Sequence, residues 1–260
     1  MKKSLISCVR KDWKECVRSG RIFLFFGMSV GLAFLIMGVT FLFSDIPEFL
    51  YQELPGIDIA SLTDVIVSLY PKNLRESIGV YAYYIGFFYV LVVTIALHGI
   101  LVSEEKRGTW ILPLQMGYRK CDIVLSKCLT YGAASAVSVF AGYLFYYLFA
   151  GCFMERNMGF GHALLLGALH GIDMGIVVAY VLLLSLLFPV PALSAVSVIA
   201  TVIFLPDLLN YFSFGRHLPT YLLTFVYESN DRFSQIVGPM ILNLLILFLI
   251  WILTKAKIER

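Results

Sequence analysis

Long, nearly uninterrupted apolar runs limit what this chain can fold into. A helix needs about 20 mostly apolar residues to cross the hydrocarbon of a bilayer. The sequence holds six such candidates: Ile22–Phe43, Ile78–Val102, Cys128–Gly151, Phe160–Phe188, Ala192–Leu209 and Ile236–Thr254. In hydrocarbon every backbone N–H and C=O must bond within the protein, so runs of this length read as helices. Composition agrees: 60% of the 260 residues are hydrophobic and only 14% are charged. A soluble domain carries about 25% charged residues, and its core could not absorb this apolar surplus. The expectation is an all-α integral membrane protein with six transmembrane helices.

Charge then orients the spans. With both termini cytoplasmic, fifteen of the twenty basic residues fall in inside segments, and only Lys72, Arg75, Arg156, Arg216 and Arg232 fall outside. Cytoplasmic loops carry the excess of Lys and Arg, so this orientation is the expected one, and a bacterial inner or plasma membrane is the expected place. "PVP" at Pro189–Pro191 becomes a very short cytoplasmic link between the fourth and fifth spans. The long outside segments are Ser44–Ser77 and Tyr211–Gln235; Asp207, before the second, reads as a helix-end residue. "HLPTYLLTFVYES" is apolar but too short to span, and reads as a short re-entrant or interfacial helix starting near Pro219, ahead of the sixth span.

Three regions follow. Residues 1–21 form an interfacial amphipathic helix, 22–254 the six-helix domain, and 255–260 a cytoplasmic tail. In the first, Leu5, Val9, Trp13 and Cys16/Val17 recur every three or four residues, and Lys3, Arg10, Lys11, Lys14 and Arg18 lie largely off that stripe. Such a helix lies in the membrane surface with its cations toward anionic headgroups. The run from Ile22 is long enough to span and lacks a small-residue cleavage site, so it reads as a first span rather than a signal peptide. The five cysteines show no C-x-x-C pairing, so neither a disulfide framework nor a metal site is expected.

The fourth span carries the most polar residues. Gly167, Gly171 and Gly175 recur every four positions and make a flat ridge for close helix packing. His162, Asp173 and Tyr180 share one stripe beside that ridge, with His170 one turn from Asp173. A carboxylate in mid-span is costly, by about 2.5–3.5 kcal/mol even on insertion scales. Two readings stay open: a polar lining for transport or a proton relay, and a hydrogen-bonded clasp to another helix.

Between the second and third spans runs "SEEKRGTWILPLQMGYRKCDIVLSK", the densest block of charge in the interior of the sequence. Glu104 and Glu105 suit the first turn of a helix, Gly108 permits close backbone approach, and Trp110, Ile111, Leu112 and Leu114 are too apolar for a freely solvated loop. This stretch resembles the loop of ABC exporter permeases of the type-2 export class: Glu, three residues, Gly-Thr, an apolar helix, a break, then a Lys at the start of the third span. Glu104, Gly108, Thr109, Leu112, Leu114 and Lys127 stand at the matching places. Gly117 and Arg119-Lys120 replace the usual Pro and Ser-Arg of the break, and Pro113 inside the apolar helix is unusual for the family.

The resemblance implies that residues 103–121 are a cytoplasmic coupling helix, with Glu104, Glu105, Arg107, Gly108, Thr109 and Leu112 meeting a separate ABC ATPase subunit. It also implies a second permease copy or a related permease. No G-x-x-x-x-G-K-[ST] loop occurs, so no catalytic residue is expected in this chain, and ATP and Mg would bind the partner ATPase. A nucleic-acid partner is not expected. The expected function is export of an amphipathic or hydrophobic cargo, such as a peptide toxin, antimicrobial peptide, drug or lipid. The alternatives are an ion- or proton-coupled secondary transporter using Asp173 and His170, and a non-transport membrane protein such as a sensor or assembly factor.

Overall fold

A computed structural model of the protein describes residues 2–53, 71, 73–188, 190–205 and 233–259, and among these there is no strand. Helix α1 covers Lys2–Arg18 and α2 covers Arg21–Glu53. Then come α3 (Leu74–Lys106), the short α4 (Ile111–Gln115), α5 (Lys120–Ala150), α6 (Phe160–Leu187), α7 (Pro191–Phe204) and α8 (Phe233–Ile258).

Five stretches are long and apolar enough to cross a membrane: Arg21–Phe41, Leu74–Lys106, Lys120–Ala150, Phe160–Leu187 and Ile236–Ile258. They fit a multi-pass membrane protein. The expected fifth span, Ala192–Leu209, is seen only as nine residues of α-helix followed by five in a wider π-helical turn. The rest of that span, Asp207 and the short helix expected near Pro219 lie outside the described residues. Two boundaries shift. The expected outside segment from Ser44 begins as a continuation of α2, and the expected tail from Lys255 is the last turn of α8.

Local chemistry starts the helices. The Asn73 side chain accepts the N–H of Glu76 at 3.0 Å and donates to its carboxylate at 2.7 Å, which caps α3 in both directions. Pro191 takes the first position of α7, where a missing N–H costs nothing.

The centre of the bundle is the antiparallel pair α5 and α6. A methyl added at Gly171 would lie 2.7 Å from the carbonyl oxygen of Ala136, and one at Gly175 would lie 3.3 Å from that of Gly132. Gly167 sits against Phe140 and Tyr143 of the same neighbour. The glycine ridge thus lets two backbones meet where lipid supplies no hydrophobic drive for association.

Hydroxyl groups tie α2 and α3 to α5. Ser29 donates to the carbonyl of Ser138 at 3.0 Å, Tyr81 donates to that of Ser29 at 3.1 Å, and Tyr89 meets Ser135 at 3.1 Å. Tyr81 stacks on Tyr146 with ring centres 4.4 Å apart. The outer surface is apolar, with Phe23, Leu35, Val137, Leu148, Phe248 and Leu249 among the exposed side chains.

Candidate functional site

The densest polar assembly lies where α1, the end of α3 and the start of α5 meet. Helix α1 runs along the beginning of α5. Its protein-facing stripe is Cys8, Asp12 and Cys16, each buried. Of the apolar stripe read in the sequence, Leu5, Val9, Trp13 and Cys16/Val17, Cys16 is buried, whereas Trp13 and Val17 are exposed and form, with Ile6, a second apolar face. The helix has three faces, and the one turned inward carries an acid.

Helix α3 stops at a defined place. Gly108 has φ 70° and the Thr109 N–H reaches back to the carbonyl of Glu104 at 3.1 Å. The Gly108 N–H reaches the carbonyl of Glu105 at 3.0 Å, and the Thr109 hydroxyl adds a further bond to the Glu104 carbonyl at 3.0 Å. This is a Schellman stop, which needs a residue able to adopt a left-handed conformation at that position. Glu104 and Glu105, expected to open a helix, therefore close one. Carboxylates at a helix C-terminus oppose its dipole, so a nearby cation is required.

That cation is Lys127. Its side chain is 0% exposed, and its Nζ lies 2.8 Å from Glu104, 3.1 Å from Asp12 and 3.5 Å from Glu15. Ser126 contacts the second oxygen of Asp12. Arg21 donates to the Tyr131 hydroxyl at 2.8 Å and lies 3.9 Å from Glu15. Trp110, also buried, donates to the Glu104 carboxylate at 3.3 Å. One ammonium thus joins three helices. Asp12 and Glu15 were missed in the sequence because they sit in a basic segment. The available signal was that Asp12 interrupts the run of cations at the same spacing as Cys8 and Cys16.

On this base stands α4. Pro113 falls in its first turn, where no intrahelical N–H is needed. Gly117, with φ 84°, repeats the stop of Gly108: its N–H reaches Leu114 at 3.0 Å and that of Tyr118 reaches Pro113 at 3.1 Å. Ile111, Leu112 and Met116 are 58%, 65% and 61% exposed. Glu105, Arg107 and Thr109 are exposed beside them, whereas Glu104 is turned inward. Within the stretch 103–121, Ser103–Lys106 end α3, Ile111–Gln115 form α4, and Lys120 and Cys121 begin α5.

A second polar group lies inside α6. Asp173 is 2% exposed, and one of its carboxyl oxygens accepts the Asn243 amide of α8 at 2.6 Å. The other oxygen has no hydrogen-bond partner among the described residues. Tyr180 donates to the Asn243 carbonyl at 2.7 Å. His170 is buried on a different partner, the Tyr143 hydroxyl at 2.9 Å. His162 is exposed at the start of α6. Of the four expected path residues the structure brings Asp173 and Tyr180 together at Asn243, which sequence reasoning passed over. An Asn in the middle of the last span was the signal for it.

Among the described residues no group of three or more His, Cys, Asp and Glu is placed to hold a metal. No protein family, curated protein or solved structure matches this chain.

Proposed function

We propose that the chain is the membrane-spanning permease subunit of an ABC exporter, with six spans, both termini cytoplasmic, and ATP hydrolysed by a separate subunit. One observation supports this best. A short helix projects between two spans with an exposed apolar tip, Ile111, Leu112 and Met116, on a base fixed by Lys127. A solvated loop has no use for such a tip; a groove on a soluble partner does. The Lys127 cluster makes α4, α3, α5 and α1 move as one body, so a push on the tip reaches the membrane helices.

The cargo on this reading is amphipathic or hydrophobic. Tyr143 and Tyr146 are buried between helices, whereas Phe23 and Phe34 of α2 are among the exposed aromatic side chains. The experiment is purification of the chain from its native membrane. An ATP-hydrolysing subunit should accompany it, and Leu112→Glu with Ile111→Glu should lose that subunit while the chain stays folded. If both forms purify alone, or both keep the ATPase, the reading fails.

The second reading, an ion- or proton-coupled carrier, draws on the partnerless oxygen of Asp173 in the membrane interior. On that reading Asp173 bonds to Asn243, and His170 to Tyr143. Transport that survives ATP depletion and stops with a protonophore would favour this reading over the exporter.

A further inference from the structure

A cleft of about 380 Å³ opens where α5 begins and α8 ends, apart from the Lys127 cluster. Arg119, Lys120 and Lys255 line it from two helices, together with Trp251. Arg119 and Lys120 are exposed and enter no ion pair among the described residues. Lys255 lies 3.8 Å from Glu259, but both are more than half exposed, so that pair holds the ammonium weakly. The acids of the cleft are Asp122, in the first turn of α5, and Glu259. Cations therefore outnumber acids.

Position selects the ligand. The cleft sits at the boundary of two membrane-crossing helices, and Trp251 lies one turn deeper than Lys255. Trp is enriched at headgroup depth, and basic pockets between spans hold anionic headgroups. Beside Trp251, α8 exposes Phe248 and Ile252, an apolar track along which acyl chains can lie.

We propose that this cleft binds the phosphate of an anionic phospholipid, gripped by Arg119, Lys120 and Lys255, with the acyl chains along α8. The proposal needs these helix ends to lie at a membrane surface and is independent of the exporter reading.

The test uses the full chain in phosphatidylcholine vesicles that contain an equal minor fraction of brominated phosphatidylglycerol or brominated phosphatidylcholine. Subtracting the fluorescence of Trp251→Phe isolates the quenching of Trp251. Brominated phosphatidylglycerol should act at about fivefold lower mole fraction or less, since each cation near the headgroup strengthens binding by about that factor. Arg119→Gln, Lys120→Gln and Lys255→Gln together should make the two lipids equal, and Arg119→Lys with Lys120→Arg should keep the preference. Equal quenching in the wild type, or a preference that survives loss of all three cations, overturns the proposal. So does full competition by millimolar inorganic phosphate, which would identify a site for free phosphate instead of lipid.

Discussion

Lys127 shows how much can depend on one side chain. Its ammonium faces Asp12, Glu15 and Glu104, and the side chain has no contact with solvent. Removing one partner of a buried ion pair leaves the others uncompensated and costs about 3–5 kcal/mol. Lys127→Met should therefore lower the unfolding midpoint in detergent sharply. Adding Asp12→Asn and Glu104→Gln should recover part of the loss, because neutral groups no longer need the cation. A wild-type midpoint for Lys127→Met alone would show that the cluster does not hold the helices. Asp173 and Asn243 make a contrasting pair. Asp173→Asn keeps an acceptor for the Asn243 amide and removes a carboxyl from the membrane interior. Asn243→Leu keeps the backbone carbonyl that Tyr180 donates to but removes the amide from the buried Asp173 carboxyl, at about 1–3 kcal/mol for such a loss. Thermal unfolding should rank Asn243→Leu as the more damaging; the reverse order would mean that the Asp173 carboxyl itself holds α6 to α8.

At the scale of elements, α4 and the α5–α6 pair make opposite demands. The α4 tip faces outward, so Leu112→Glu should leave the unfolding midpoint unchanged and act only on partner binding. Gly171 has no room, so Gly171→Leu should force α5 and α6 apart and reduce the yield of folded protein. Normal yield would place the ridge elsewhere. The ridge was legible in the sequence because a spacing of four on a helix has one geometric meaning. The direction of the turn at Glu104 was not: two acids after an apolar run and before another fit either a helix start or a helix end. Gly108, four residues on, decides, since a left-handed residue there closes the preceding helix. The inward face of α1 was hidden for a different reason. Asp12 belongs to the charged set until its partner is known, and that partner is Lys127 in another helix.

At the scale of the molecule, native cysteines can test the orientation that basic residues imply. Cys121 and Cys152 lie at opposite ends of α5, and Cys152 is exposed. Cys8 and Cys16 are buried, and loss of solvent pushes both thiols up, so they stay protonated and slow to react. An impermeant maleimide should label intact cells at Cys152, and a Cys152→Ser variant should go unlabelled. Cys121 should react only after permeabilisation. Labelling of the Cys152→Ser variant from outside would reverse the topology. The spans were readable at this scale because hydrocarbon admits few solutions, and the runs predicted for spans one to four and six correspond to helices of spanning length. The partners of the polar residues of α6 were less readable, since a shared stripe on α6 does not say which neighbouring helix each side chain meets.

The Asp12–Lys127 bond also sets an order of events during biosynthesis. The two residues are 115 positions apart. At about 5–20 residues per second, the ribosome delivers Lys127 on the order of ten seconds after Asp12. Until then the acids of α1 have no Lys127 to meet, and α1 must wait in water or at the headgroups while two spans insert. Docking of α1 is thus a late step, timed by the arrival of the third span. A nascent chain arrested before Lys127 should present Cys8 and Cys16 to thiol reagents that the finished protein keeps out.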